Sequence, residues 1–227
     1  MTKKIQNQEE VAVAEAVSKT EQFFENNGKK VIIAVVALLL LVAGGYAYKY
    51  LVFDKNEAAA NELIIVAQDR FSGENPDFEL ALNGDESGAG FLAVIEQYGS
   101  TDAGNIANHY AGICYLRLGD LENAAKYLKA YNAVGGSVVA EIIDAQNIGL
   151  QGDIAVEKGE YAEAAALFAK AVKVSDNAGT APYYLLKQAQ ALVAAGNVEK
   201  AKECCKTIVA NYPSVAETQE AEKMLGL

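Results

Sequence analysis

The sequence predicts an all-α chain in which a single N-terminal transmembrane helix is followed by a solenoid of helical hairpins. Two observations carry this. Residues 31–53, VIIAVVALLLLVAGGYAYKYLVF, are an apolar run with no charge between Val31 and Tyr48. From Phe91 onward, small residues recur in a shared frame anchored on Gly119, Gly159 and Gly196.

At ~1.5 Å per helical residue the apolar run reaches roughly 34 Å, enough to cross a ~30 Å hydrocarbon core with some tilt. Lys29 and Lys30 precede it directly, with Phe23 and Phe24 behind them, and Tyr46, Tyr48 and Tyr50 lie at its far end. Rings at headgroup level with ammonium groups outside are what both membrane interfaces call for. The run exceeds the ~7–15 apolar residues of a cleaved signal peptide, and no Leu-x-x-Cys lipobox is present. The expectation is an uncleaved signal anchor; a cleaved signal or a buried core helix are the alternatives. Five Lys precede the run, while Lys49 and Lys55 follow it closely. This bias predicts a cytoplasmic tail over residues 1–28, a span over 29–53, and a large domain over 54–227 on the other side. Within the tail, residues 1–8 read as disordered and Glu9–Val17 as a short amphipathic helix. Thr20 reads as the N-cap of a further helix that Asn26-Asn27-Gly28 would stop.

The charge is unevenly placed. The whole chain carries −11; residues 54–227 hold 13 basic against 25 acidic side chains, or −12. Such a domain repels phosphate backbones and anionic lipid surfaces, which argues against nucleic-acid partners. Cys114, Cys204 and Cys205 lack the spacing of a metal site or a disulfide framework, and read as small apolar residues in helix packing. A bridge from Cys114 to Cys204 or Cys205 is the other reading. Free thiols weigh slightly against an oxidising compartment.

Residues 55–71 read as a helix with Leu63, Ile64, Ala67 and Phe71 as its apolar stripe. Residues 72–90 are an acidic, Gly-rich connection, in which the alternation of Phe78, Leu80 and Leu82 suggests a short extended piece. Asp77, Asp85 and Glu86 lack the fixed oxygen positions of a calcium loop, so an ordinary acidic turn is expected.

The repeat frame covers Ala107–Tyr131, Ala145–Val172 and Ala181–Pro213. Seven residues before each anchoring glycine stand Gly112, Gly152 and Ala189; five after stand Ala124, Ala164 and Ala201; nine after stand Leu128, Phe168 and Cys205. The anchor suits a helix C-cap, where a left-handed backbone is cheap for glycine. Asp120, Glu160 and Asn197 then open the next helix. Small residues at the −7 and +5 positions let paired helices approach, and the larger +9 residue wedges into the next hairpin.

This frame resembles the tetratricopeptide repeat family, whose small residue, turn glycine, alanine and aromatic are met by these positions. Its repeat-ending proline is met by Pro213, and its tryptophan is missing. Anchor spacings of 40 and 37 replace the usual ~34. The resemblance implies repeats at about 105–137, 145–177 and 182–213. It also implies a degenerate first repeat over 55–100, including a helix over Phe91–Tyr98, and a capping helix over 214–227. It further implies a concave, peptide-binding groove. Ile106, His109, Ile113, Leu116 and Arg117 come from the first repeat; Gln146, Gly149, Asp153, Val156 and Glu157 from the second; Tyr183, Leu186, Gln190, Val193 and Ala194 from the third. The Lys/Asn set of carboxylate clamps is absent from it. No catalytic residues, metal ligands or cofactors are expected: His109 is the single histidine and has no nucleophile or phosphate-loop context.

Phe23-Phe24-Glu25-Asn26-Asn27-Gly28-Lys29, then one span, then repeats, resembles the ancillary subunit family of the bacterial SecYEG translocon. The chain departs by its extra Asn and by residues 72–90. The resemblance implies an inner-membrane protein whose periplasmic repeats contact translocon subunits, periplasmic chaperones or secreted chains, with no small-molecule substrate. The alternative is a tetratricopeptide scaffold for another cell-envelope assembly machine. Homo-oligomerisation through Gly44-Gly45 and the repeat faces is a third option.

Overall fold

The computed structural model describes the backbone of residues 2–226 and the side chains of residues 18, 21, 23 and 25–226. The expectations about the Thr20 and Phe24 side chains lie outside the described residues. The chain forms two compact units that divide between Lys55 and Asn56.

The first unit is helical. Helix α1 runs Thr2–Tyr48 and passes into a π-helical turn, Lys49–Phe53. The expected stop at Asn26-Asn27-Gly28 does not occur, nor does the expected break-up of residues 2–20. A helix-interior glycine costs about 1 kcal/mol relative to alanine, and an established helix propagates through so small a penalty. Asn27 also donates its amide to the Phe23 carbonyl one turn back, at 3.2 Å. The π-turn is closed by the Asp54 N–H on the Lys49 carbonyl, and Lys49 and Asp54 form an ion pair at 2.9 Å across the same wider turn. Ile33, Leu38, Leu40 and Leu41 are all exposed. Among the described residues, one helical stretch is thus long and apolar enough to cross a membrane, with none of its apolar window buried.

The second unit begins along α2 (Asp54–Ser72), which buries Ala60, Ile64 and Ala67. Helix α3 (Phe78–Asn83) follows, where an extended piece was expected. The reason is local: Asp77 is an N-cap whose carboxylate accepts the Leu80 N–H at 2.8 Å, and Phe78, Ala81 and Leu82 then share a helical face. Strands β1 (Gly84–Asp85) and β2 (Gly88–Ala89) make a minimal antiparallel hairpin. Arg70 clasps it, donating to the Gly88 carbonyl at 3.1 Å, to Asp85 at 2.6 Å and to Ser87 at 2.8 Å. The Ser87 hydroxyl and amide, then Arg70, hold the Asp85 carboxyl below its usual range. Helix α4 (Phe91–Tyr98) inserts Phe91 and Val94, both fully buried, against α2 and α5 (Asp102–Arg117). Glu57 on α2 caps α5, accepting the Asp102 and Ala103 N–H groups at 2.6 and 3.1 Å.

Three hairpins follow: α5 with α6 (Leu121–Ala130), α7 (Val138–Glu157) with α8 (Tyr161–Val174), and α9 (Ala181–Ala194) with α10 (Val198–Asn211). Helix α11 (Glu217–Leu225) buries Thr218, Ala221 and Met224 over the last pair. The chain is therefore an all-α tetratricopeptide-type solenoid preceded by one long apolar helix. Gly119, Gly159 and Gly196 have φ of 82°, 75° and 78°, the left-handed values that spare glycine alone a steric cost. Each makes a Schellman end: Asp120, Glu160 and Asn197 donate N–H to the Tyr115, Ala155 and Leu192 carbonyls at 2.9, 2.8 and 2.8 Å. Of the three opening residues, only Asp120 caps with its side chain. Helix α7 starts earlier than the repeat frame, because Ser137 caps it by accepting the Ala140 N–H at 3.1 Å.

The small −7 position meets the large +9 position of its own hairpin. A Cβ on Gly112 would stand 2.6 Å from Leu128 Cγ, and one on Gly152 would stand 2.7 Å from Phe168 Cε1. The +9 residues also reach the next hairpin, Leu128 through Ile154 and Phe168 through Tyr184, whose ring lies 6.4 Å away. Cys114 lies in the α2–α5 core, while Cys204 and Cys205 lie in the α7–α11 core. All three are free and buried, so the alternative bridge does not form.

Gly152→Ala sets two effects against each other. Helix propensity favours alanine by about 1 kcal/mol, but overpacking a filled core costs about 1–3 kcal/mol. With Phe168 only 1% exposed, the ring has nowhere to go. Urea unfolding should show a net loss of roughly 1–2 kcal/mol, and the added substitution Phe168→Leu should recover part of it.

Candidate functional site

The first helices of the three hairpins line one continuous trough of about 860 Å³. Helix α5 contributes Ile113, Leu116 and Arg117; α7 contributes Gln146, Gly149, Leu150, Asp153, Val156 and Glu157; α9 contributes Tyr183, Tyr184 and Lys187. Gly119 and Leu121 close the α5–α6 end. The frame that places these residues is the hairpin itself. Successive first helices present equivalent turns to the same side, and Gly149 keeps the floor low, because any Cβ there would collide with the Tyr184 ring.

Some expected groove residues lie elsewhere. Ile106 is half-buried in the α2–α5 core, and Leu186 and Val193 are half-buried against the α7–α11 core. Gln190 and Ala194 line a side pocket of about 190 Å³ over Phe168 that shares Asp153, Val156 and Lys187 with the trough. His109 is 2% exposed and lines a neighbouring hollow rather than the trough. For Leu186 the reason is the rotation of α9: Tyr183 and Lys187, four residues apart, define its trough-facing stripe, so Leu186 turns inward. Lys187 and Tyr184 were not foreseen. Their signal was the i, i+4 spacing of Tyr183 and Lys187 on the presumed inner face.

Lys187 is the most engaged charge in the trough. Its ammonium donates to Asp153 at 2.6 Å across α7 and α9, and stands 5.0 Å from the Tyr183 ring centre and 5.6 Å from that of Phe168. Burial lowers its pKa; the hydrogen bonds with Asp153 and Tyr183 outweigh that and leave it raised. Arg117 is exposed, and among the described residues no carboxylate lies within ion-pair distance of it. Trough-lining Glu157 is likewise exposed and without a partner among those ion pairs.

Beneath the trough the junction between α5–α6 and α7 is polar. His109 Nδ1 meets Asn147 Nδ2 at 3.2 Å, and Asn147 accepts from Gln151 at 2.9 Å. Asp144, 2% exposed, accepts the Tyr131 hydroxyl at 2.7 Å and the N–H groups of Val134 and Gly135 at 3.1 and 2.9 Å. It thus fixes the lengthened turn between the first two hairpins, and burial followed by this carboxylate pushes the Tyr131 phenol up. Burial drives His109 down to about 4, against Gln146 and Asp144, which pull it up. Burial likewise pushes the Cys114 thiol up to about 12 and Cys204 up to about 11. Among the described residues no group of His, Cys, Asp and Glu could hold a metal ion.

Residues 155–225 match the family model described as Tetratricopeptide repeat. Comparison with curated proteins and with solved structures finds no match. The matched segment covers α8 to α11 and the end of α7, so the repeats mark the chain as carrying a protein–protein interaction module.

His109 should make stability pH-dependent. Its unfolded value is 6.5 and its folded value about 4, so between these the unfolded chain binds the extra proton and stability rises with pH. The contribution is complete above pH 6.5 and lost as pH falls toward 4, amounting to about 3 kcal/mol. Urea midpoints measured across that window should fall with acidification in the parent chain. They should fall less in His109→Gln, which keeps a hydrogen-bonding partner for Asn147 but cannot charge.

Proposed function

We propose that the chain is a membrane-anchored interaction module whose trough binds extended or helical peptide segments of protein partners. The observation that carries this is the trough itself, about 860 Å³, with apolar and polar side chains interspersed, lined by the first helix of each of three hairpins. Such a surface suits peptide recognition, with aromatic and aliphatic walls for side chains and the Gln146 amide for the main chain.

Residues 31–53 are the anchor in this reading, with the basic flank keeping residues 1–28 in the cytoplasm and the domain from residue 54 in the periplasm of a bacterial inner membrane. The Phe23–Lys29 motif ahead of that anchor supports a place beside the Sec translocon. Partners are then translocon subunits, periplasmic chaperones or secreted chains. Anchoring adds to affinity by raising the local concentration of the trough near membrane-bound partners.

Photocrosslinkers placed at Tyr183, Gln146 and Glu157 of the full chain in native membranes test both parts. Capture of translocon subunits, chaperones or nascent secreted chains is the expected result. Capture confined to outer-membrane or wall-assembly components would replace the translocon by a different machine. No capture from these positions, with capture from Lys170 or Lys206 on other exposed surface, would overturn the trough as the binding surface.

A further inference from the structure

We propose that the acidic insertion, residues 72–90, adds a second bay to the trough, which takes a large apolar side chain of a bound peptide together with an adjacent Asp or Glu. This rests on the trough reading above and names the ligand class it selects.

The bay encloses about 370 Å³. Its apolar wall is aromatic: Phe71 from α2, Phe78 from α3 and Tyr110 from α5. The wall is braced by edge-on contacts at 5.7 Å between Phe71 and Phe78 and 5.0 Å between Phe71 and Tyr110. Phe78 belongs to the insertion and has no counterpart in the hairpin frame, so this bay is a property of this chain rather than of the repeat. Ile113, Arg117 and Gln146 line both the bay and the main trough, which makes the two continuous.

The charge inside the bay decides what it accepts. Arg117 is the one permanently charged side chain lining it. Among the described residues no carboxylate is paired with that guanidinium, whereas Lys187, the other cation of the trough, is held by Asp153 at 2.6 Å. His109 is also part of the lining, but it is buried and stays neutral at physiological pH. Glu157 lines the main trough and not the bay. In a domain of net charge −12, an aromatic-walled bay whose single permanent charge is an unpaired cation is complementary to an apolar side chain flanked by a carboxylate. Guanidinium geometry favours a carboxylate over other acceptors, and Gln146 offers an amide to the peptide main chain.

The test uses the full chain in detergent micelles and three fluorescein-labelled Gly/Ser-rich peptides with amidated C-termini. Their central pairs are Phe-Asp, Phe-Lys and Ala-Asp, and binding is read by anisotropy. Phe-Asp should bind tightest, by roughly three- to tenfold over each of the others. Arg117→Glu should reverse the order of Phe-Asp and Phe-Lys, with an unchanged thermal melt showing that the fold is intact. Equal binding of Phe-Asp and Phe-Lys, or an order that survives Arg117→Glu, overturns the proposal. So does tighter binding of a peptide whose only carboxylate is a free C-terminus. Phe-Asp binding lost in Lys187→Ala but indifferent to Arg117→Glu removes the bay and leaves the trough; indifference to both substitutions removes the trough as well.

Discussion

Each hairpin of this solenoid closes on one steric bargain: a first helix that gives up bulk where the second helix supplies it. Leu128 on Gly112 and Phe168 on Gly152 are contacts no other residue at the glycine positions would permit without displacement. Ala189 and Cys205 fill the same two positions in the third hairpin with a less extreme pair, and both are fully buried. Because Leu128 and Phe168 also touch the following hairpin, the same atoms set the spacing within a repeat and the stacking between repeats. The trough inherits its width from that spacing. Its lining residues are therefore positioned by contacts on the opposite side of their own helices.

The core is not continuous. One apolar cluster joins α2 to α5 and another joins α7 to α11, and only Ala124, Leu128 and Ile154 form the buried centre of the cluster between them. Much of the remaining junction is polar, through His109, Asn147, Tyr131 and Asp144. A buried carboxylate is tolerated there because both of its oxygens meet donors. Asp144 substitutes for backbone pairing in a turn that is longer than the family norm and contains two successive glycines with positive φ, Gly135 and Gly136.

The hairpins were legible because their determinants are few and local. A glycine that must be left-handed, a small residue and its large counterpart recur at fixed offsets that survive in a single sequence. The apolar helix was legible from its length alone. Other features depend on which signal wins locally. Asn26-Asn27-Gly28 looks like a terminator, but helix propagation passes through it. Phe78, Leu80 and Leu82 alternate like a strand, but the Asp77 cap imposes a helical period on Phe78, Ala81 and Leu82 instead. In the trough, equivalent repeat positions located the α5 and α7 faces. They misplaced Leu186, Val193 and Ile106, because helix rotation is set by packing that a linear frame does not encode. The role of Phe78 was invisible for a different reason: it arrives from an insertion outside the repeat.

The three cysteines have a consequence beyond packing. Disulfide exchange begins with a thiolate reaching a sulfur, and a pKa of about 12 for Cys114 leaves on the order of one thiolate in 10⁵ at neutral pH. Cys114 has no exposed surface, and its core contains neither of the other two sulfurs. An oxidising environment would thus find little to react with until the chain unfolds. For Cys114, being unpaired therefore reflects burial in the folded chain, and carries no vote on the redox state of its compartment.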